Sequence, residues 1–259
     1  MSLITWLLKK FIVPIPKIKN FDEYLFIGPH PDDIEVGAGA TVSRLVEMGK
    51  KVTYLIATDG CYGSPTADYD KKELIATRQK ESIAAAEHLG VKEVHFLPFS
   101  DGGLYDQKEL TIAIAKKIVE IKPKAVFAPD PNLQTECHID HLNVGKACAN
   151  AYHLCANAPF AKEYAGLDPA TPEMLAFYYT DSPNTYFKTG AKHLKKQKEA
   201  LKLFASQMEF KEKGFGDGDF IMLYNHFRSI RFGIKTLKGR ADGFRCLGNT
   251  HTHCCAEKI

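Results

Sequence analysis

A histidine and two aspartates stand together in Gly28-Pro29-His30-Pro31-Asp32-Asp33, and two histidines flank an aspartate in His138-Ile139-Asp140-His141. Imidazole nitrogens and carboxylate oxygens are the donors zinc accepts, and a catalytic zinc takes three of them while keeping a position for water. His30, Asp33 and His141 supply such a set, one zinc per chain. Water on that metal ionises near neutral pH, its pKa falling from about 15.7 to roughly 7, and becomes a nucleophile for a carbonyl carbon. A second carboxylate has to take the proton; Asp32, next to a ligand but diverging from it in a turn, suits that task. If the second loop runs into a helix, His138 and His141 share a face, so that His138 reaches the pocket and can hydrogen-bond an oxyanion, with Asp140 orienting an imidazole.

Each cluster has a plainer explanation. A Pro-Asp pair is a common turn former, and Asp32 or Asp33 alone would be read as a helix N-cap. What favours a metal is repetition, because each cluster directly follows an apolar run: Tyr24-Leu25-Phe26-Ile27 in the first case and Ala125-Val126-Phe127-Ala128 in the second. Both sets of side chains are thereby placed at the ends of buried strands, where α/β sheets carry their chemistry. Spacing alone leaves the reaction open.

The elements that must position these loops alternate. Strands are expected near 23–29, 52–58, 93–98, 125–129 and 174–180, and helices near 34–49, 70–90, 107–121 and 139–156, with Gly49, Gly90 and Lys122-Pro123 as stops. Strict alternation predicts an α/β fold, a Rossmann-like three-layer sandwich with a mostly parallel sheet. Beyond about residue 181 the pattern weakens. Residues 158–172, rich in alanine, proline and glycine, read as a long surface loop, followed by a helix near 191–206, a glycine-rich turn at 214–218 and a last helical stretch ending near Ile234. The expected organisation is an N-terminal extension over 1–20 and a single domain over 21–259. Gly37-Ala38-Gly39-Ala40-Thr41 lacks the third glycine of a dinucleotide fingerprint, so close helix packing is its expected role.

Composition narrows the classes further. The 34 basic and 31 acidic residues nearly cancel, which argues against a nucleic-acid partner. The lysines at 192, 195, 196, 198 and 202 read as a solvated helix face. Seven cysteines form no paired framework, so a reducing, cytoplasmic location is expected. The apolar residues of the first 16 positions are interrupted by Lys9 and Lys10, too short a run for a transmembrane segment. His251, His253, Cys254 and Cys255 near the chain end are expected to bind metal only adventitiously. Tyr178, Tyr179 and Tyr186 read either as a sugar-stacking rim or as core.

The string Pro29-His30-Pro31-Asp32-Asp33-Ile34-Glu35 with Gly37–Thr41 resembles the signature of the PIG-L/LmbE-like zinc-dependent de-N-acetylases, and His138–His141 resembles their second motif. Agreement extends through Thr58-Asp59-Gly60, Arg78-Gln79-Lys80-Glu81, Asp101-Gly102-Gly103-Leu104, Pro129-Asp130 and Ser206-Gln207. The resemblance implies zinc on His30, Asp33 and His141, Asp32 as general base, His138 at the tetrahedral intermediate and Arg78 as a substrate contact. It also implies hydrolysis of the N-acetyl group of an N-acetylglucosamine-type sugar or glycoconjugate, giving acetate and a free amine. Two rival readings are a metal-dependent phosphoesterase and a non-catalytic sugar-binding module whose structural zinc is closed by Cys137. Homo-oligomerisation is left open.

Overall fold

The computed structural model describes residue 7 and residues 11–209, 216–235, 237 and 239–253. Seven strands form its sheet: β1 (Glu23–Gly28), β2 (Lys51–Thr58), β3 (Glu93–Phe99), β4 (Ala125–Pro129), β5 (Met174–Tyr178), β6 (Thr185–Thr189) and β7 (Arg240–Gly248). Their order across the sheet is β3-β2-β1-β4-β5-β7-β6. The first five are parallel, while β7 runs antiparallel to β5 and β6 antiparallel to β7. The helices are α1 (Asp33–Glu47), α2 (Lys71–Leu89), α3 (Gln107–Ile121), α4 (Ile139–Leu154), α5 (Ala158–Ala165), α6 (Ala191–Leu201) and α7 (Asp217–Lys235).

Alternate residues of each central strand feed two separate cores, the direct result of the period-two side-chain geometry of a strand covered on both faces. Tyr24, Phe26, Tyr54 and Phe127 pack with residues of α1, α2 and α6 on one face. Leu25, Ile27, Leu55 and Val126 pack with residues of α3 and α4 on the other. Phe26 and Phe127 stack across the β1–β4 pair with centroids 4.3 Å apart. The chain leaves β1 towards β2 and β3, then returns to the other side of β1 as β4. The loops after β1 and β4 therefore diverge and leave a crevice at the carboxyl ends of the strands, the switch point where α/β sheets bind ligands. Both motifs lie on those two loops.

Three expectations are corrected here. Residues 158–172 are not one long loop, since 158–165 form α5: Asn157 caps it by accepting from the Phe160 N–H, a proline sits in its first turn and Gly166 at φ 68° ends it. Proline is tolerated in the first turn of a helix, so a composition read as loop was a helix start. The last two strands were not foreseen, because β6 is only five residues long and β7 carries Asp242 and Arg245 within its run. These polar residues are paired: Thr41 donates to Asp242 at 2.6 Å, and Arg245 grips Asp130 through two bonds of 2.8 and 2.6 Å. The sixth helix ends at Leu201, not near 206. Its lysines are partly paired, Lys192 with Glu47 and Lys195 with Glu199. Leu3, Ile4, Trp6, Leu8, Gly214, Phe215, Cys254 and Cys255 lie outside the described residues. Among the described residues, no helix is long and apolar enough to cross a membrane.

The glycines of α1 do allow close packing. A Cβ on Gly37 would lie 2.5 Å from the Tyr178 ring and 3.1 Å from that of Tyr179, and the Tyr178 hydroxyl is tied to the Ile27 carbonyl at 2.8 Å, so the ring cannot step aside freely. Gly37→Ala is expected to cost about 1–3 kcal/mol by overpacking. Thermal denaturation checks this, and an unchanged Tm would show that the tyrosines yield.

Candidate metal centre

Asp32 sits at the N-cap of α1 with φ 123° and ψ −28°, a backbone conformation that non-glycine residues rarely adopt. The neighbouring structure enforces it. The Pro29 carbonyl accepts from the Thr58 N–H at 2.9 Å and its hydroxyl at 2.8 Å, the Asp32 carbonyl accepts from the Val36 N–H at 2.9 Å, and Arg78 donates to the Pro31 carbonyl at 3.0 Å. Although it holds the cap position, the Asp32 side chain makes no capping bond, so its carboxylate turns elsewhere. It accepts from Arg78 Nη2 at 3.2 Å.

Arg78 reaches this place from α2 and is only 3% exposed. Its other donor, Nη1, goes to the Gly60 carbonyl at 2.8 Å. Arg78, which the resemblance offers as a substrate contact, is turned inward, and its Nη1 and Nη2 groups donate to the loops after β1 and β2, fixing Asp32, while its buried Nε has no partner among the described residues. A side chain this buried does not offer a free cation to solvent.

The remaining donors meet around His30. Its backbone N–H donates to Asp33 Oδ2 at 2.9 Å, and its Nδ1 lies 3.0 Å from the same oxygen. On the other side of the ring, Nε2 lies 3.1 Å from Asp101 Oδ1 and 3.4 Å from Asp140 Oδ2. Asp33 presents its second oxygen, Oδ1, to His141 Nε2 at 3.2 Å, so one carboxylate bridges the two histidines. His141 Nδ1 is 2.9 Å from Glu136 Oε2, a contact suited to orient the ring. His138 occupies the N-cap of α4, and its ring stacks on that of His141 at 4.7 Å and 15°, as the i,i+3 spacing anticipates. The donor atoms of His30, His138 and His141 lie within 4.8 Å of one another, as do those of His30, Asp101, His138 and Asp140.

Asp140 is fully buried and almost fully used. It accepts from the Gly102 N–H at 2.8 Å, the Gly103 N–H at 3.0 Å and the Tyr105 hydroxyl at 2.7 Å, which moors the loop after β3. Its Oδ2 stands 3.7 Å from His138 Nδ1, beyond hydrogen-bond length. The orienting role expected for Asp140 therefore falls more on that loop and on His30 than on His138.

Asp101 and Glu136 join the site without having been assigned to it from the sequence, and Tyr179, read there either as rim or as core, joins them. Asp101 was legible only as part of a longer resembling string, where the two glycines after it were the available signal: both have positive φ, 84° and 72°, which lets their N–H groups turn towards Asp140. Tyr179, with φ 51°, stacks on His141 at 5.6 Å and donates to the Asp33 carbonyl at 3.1 Å. Of the three tyrosines considered as a rim, only Tyr179 reaches the donors. Tyr178 is core, and Tyr186 packs on Phe232. Cys137 is exposed and donates weakly to the Thr135 carbonyl, apart from both donor groups. His251 is held by the Gly248 N–H and the Val13 carbonyl rather than left at a mobile end.

Electrostatics favour a cation at this point. Burial opposes charge on His141, yet Asp33 and Glu136 raise its pKa to about 9. Burial also opposes charge on His30, but Asp101, Asp140 and Asp33 hold it well above the usual imidazole range. Asp33 shows the reverse: despite burial, His141 and His30 keep its carboxyl well below the usual range. Burial and the charge of Asp33 push Asp32 up to about 7. Carboxylates and imidazoles thus balance one another's charge, and the mixed nitrogen and oxygen donor set fits a divalent transition ion.

A cleft of about 460 Å³ opens from this cluster. Its lining includes His141, Glu136 and Tyr179 together with Phe220, Tyr224 and Arg228 of α7. A larger cavity of about 830 Å³, between α3, α4 and β7, shares none of the donor residues.

Comparison with known proteins places this geometry among relatives. The family model described as GlcNAc-PI de-N-acetylase, PIG-L, matches residues 25–152. A diacetylchitobiose deacetylase of Thermococcus kodakarensis is 32% identical over 235 residues, covering 89% of this chain and 85% of the relative. A 1D-myo-inositol 2-acetamido-2-deoxy-alpha-D-glucopyranoside deacetylase of Kineococcus radiotolerans is 31% identical over 163 residues, covering 51% of this chain and 45% of the relative. Among solved structures, the N,N'-diacetylchitobiose deacetylase of Pyrococcus horikoshii in complex with its inhibitor MPG superposes with a TM-score of 0.84 at 28% identity, covering 98% of this chain and 94% of that one.

Proposed function

The chain belongs to the PIG-L family of de-N-acetylases, and from that premise we propose that it is a zinc-dependent hydrolase removing the acetyl group from an N-acetylglucosamine-type sugar or glycoconjugate. The observation that carries the reading is the Asp33 carboxylate shared between His30 and His141 at the switch-point crevice, with Asp32 turned away from its capping position beside them. His30, Asp33 and His141 would hold the ion. When bound, zinc polarises a carbonyl as a Lewis acid and lowers the pKa of water.

The side chains supply the rest. Asp32, fixed by Arg78 and by its strained backbone, takes a proton from the attacking water and can return it to the departing amine, so that water and acetamide give acetate and a free amine. His138 is the most exposed of the histidines at the cluster, and burial together with the neighbouring His30 and His141 lowers its pKa. It is placed to donate a hydrogen bond to the oxyanion of the tetrahedral intermediate. Asp140 keeps the loop with Asp101 in place beside His30, and Glu136 fixes the His141 ring. Arg78 acts as a positioning residue for Asp32.

Acetate release from N-acetylglucosamine derivatives by the purified, zinc-loaded chain tests this reading. Chelation should abolish release and readdition of zinc should restore it. Release that persists after complete metal removal would refute the assigned chemistry.

A further inference from the structure

Ser206-Gln207, the last string of the family resemblance, has no part in the donor set, yet its side chains reach back to the elements that hold Asp32. The pair lies in the turn after α6, where the Gln207 and Met208 N–H groups both donate to the carbonyl of Phe204, a fully buried core residue. From there the Ser206 N–H donates to Glu81 Oε1 at 2.9 Å and the Ser206 hydroxyl to Glu81 Oε2 at 2.5 Å. Glu81 stands three residues after Arg78 on α2, so the two side chains share one face of that helix. Gln207 Nε2 donates to the Gly63 carbonyl at 3.0 Å. Gly63 closes a tight turn, its N–H donating at 3.1 Å to the Gly60 carbonyl, which also accepts from Arg78 Nη1 at 2.8 Å.

We infer that Ser206 and Gln207 are positioning residues for Asp32, acting through the loop after β2 and through Arg78. The inference rests on the deacetylase reading, in which Asp32 moves the proton, and adds the parts that aim it. A guanidinium is a rigid planar fork, so fixing Nη1 on Gly60 fixes the direction of Nη2, which meets the Pro31 carbonyl at 3.0 Å and Asp32 at 3.2 Å. Space beside the loop is committed as closely as its hydrogen bonds: a Cβ on Gly63 would lie 2.5 Å from Arg78 Nη1 and 2.6 Å from Gln207 Oε1. The amide and the guanidinium thus meet the same glycine from neighbouring positions. A turn that only ended α6 would need neither the Glu81 carboxylate nor an amide directed at the Gly63 carbonyl. Because Glu81 and Arg78 belong to one helix, α2 carries both the cation and the anchor of the turn that pins it, and the two keep a fixed register.

Gln207→Met keeps the length of the side chain and removes the amide. In the full-length, zinc-loaded chain it should lower kcat for acetate release from N,N'-diacetylchitobiose about tenfold, the order that one hydrogen bond allows, with KM and zinc content unchanged. Ser206→Ala should also lower kcat, and Ser206→Thr, which keeps the hydroxyl, should restore it. The effect of Gln207→Met should vanish in an Arg78→Lys background, where the fork is already gone, as expected of residues that act through one another. Asp32→Asn provides a second background for the same comparison if Arg78→Lys does not fold. Nitrogen NMR supplies a readout free of activity: held at both ends, the wild-type Arg78 guanidinium should give separate Nη signals, and Gln207→Met should merge them as rotation quickens.

A wild-type kcat in Gln207→Met, a loss confined to KM or accompanied by loss of zinc, or a loss that adds in full to that of the background variant would overturn the inference while leaving the deacetylase reading intact. If wild type released no acetate but the Arg78 signals still merged in Gln207→Met, the positioning role would stand and the deacetylase reading would fail.

Discussion

Acetate release should fall by about 10²–10⁴-fold in Asp32→Asn, the span typical of losing a general base, while zinc content stays at the wild-type level. Asn keeps the side-chain shape and is among the non-glycine residues that best tolerate positive φ, so the backbone at φ 123° has no new reason to rearrange. The amide loses the negative charge and cannot take the proton from water, yet it still offers an oxygen to Arg78. Asp32 also makes no contact with His30 or His141 of the kind Asp33 makes, so metal retention is the expected companion result. Activity within a few-fold of wild type in a zinc-replete Asp32→Asn would remove Asp32 from its assigned role. A loss of zinc along with activity would instead assign Asp32 to metal binding.

Asp33→Ala should show the opposite partition. Asp33 touches both histidines, through Oδ2 to His30 and Oδ1 to His141, and its carboxyl is held in the charged form by them. Its removal takes out one of three ligands and leaves two imidazoles without their shared counter-charge. Metal affinity should therefore fall by more than the roughly 10–100-fold that follows loss of a mere orienting partner, and activity should fall with it. Stability provides a readout independent of activity. Zinc at a thousand times its Kd stabilises the wild type by about 4 kcal/mol, so the wild-type Tm should drop on chelation and that of Asp33→Ala should not respond. An Asp33→Ala chain with one equivalent of tightly held zinc and a chelator-sensitive Tm would exclude Asp33 from the ligand set.

The first half of the molecule was open to sequence reasoning because strand ends and ligand-type residues coincide there. His30, Asp32 and Asp33 follow a run that is buried in the sheet, and His138 and His141 open a helix after another, so period and residue type pointed to one crevice. Asp101 and Glu136 gave no comparable signal: Asp101 is a single acid whose partner His30 comes close only when β3 and β1 take their places in the sheet, and Glu136 is a single acid in an irregular loop that meets His141 only because the chain turns there into α4. Arg78 shows a different limit. The family resemblance suggested a role near the substrate, but only the fold reveals that its Nη1 and Nη2 groups donate to Gly60, Pro31 and Asp32. The two antiparallel strands escaped notice because their half-buried polar residues are satisfied by partners far away in sequence, Thr41 for Asp242 and Asp130 for Arg245, and such pairings leave no trace in local hydropathy.

Every donor at the metal centre comes from residues 30–141, whereas the aromatic wall across the cleft comes from 217–235. The stretch that supplies the donors and the stretch that walls the cleft are thus separate lengths of chain, joined by the Asn225 bond to the Val36 carbonyl and by the packing of Met222 and Ile221 in the core shared with α1. Substitutions at the cleft-lining positions of α7 can therefore accumulate without removing a donor, so a lineage can reshape the cleft while its donor set is inherited unchanged.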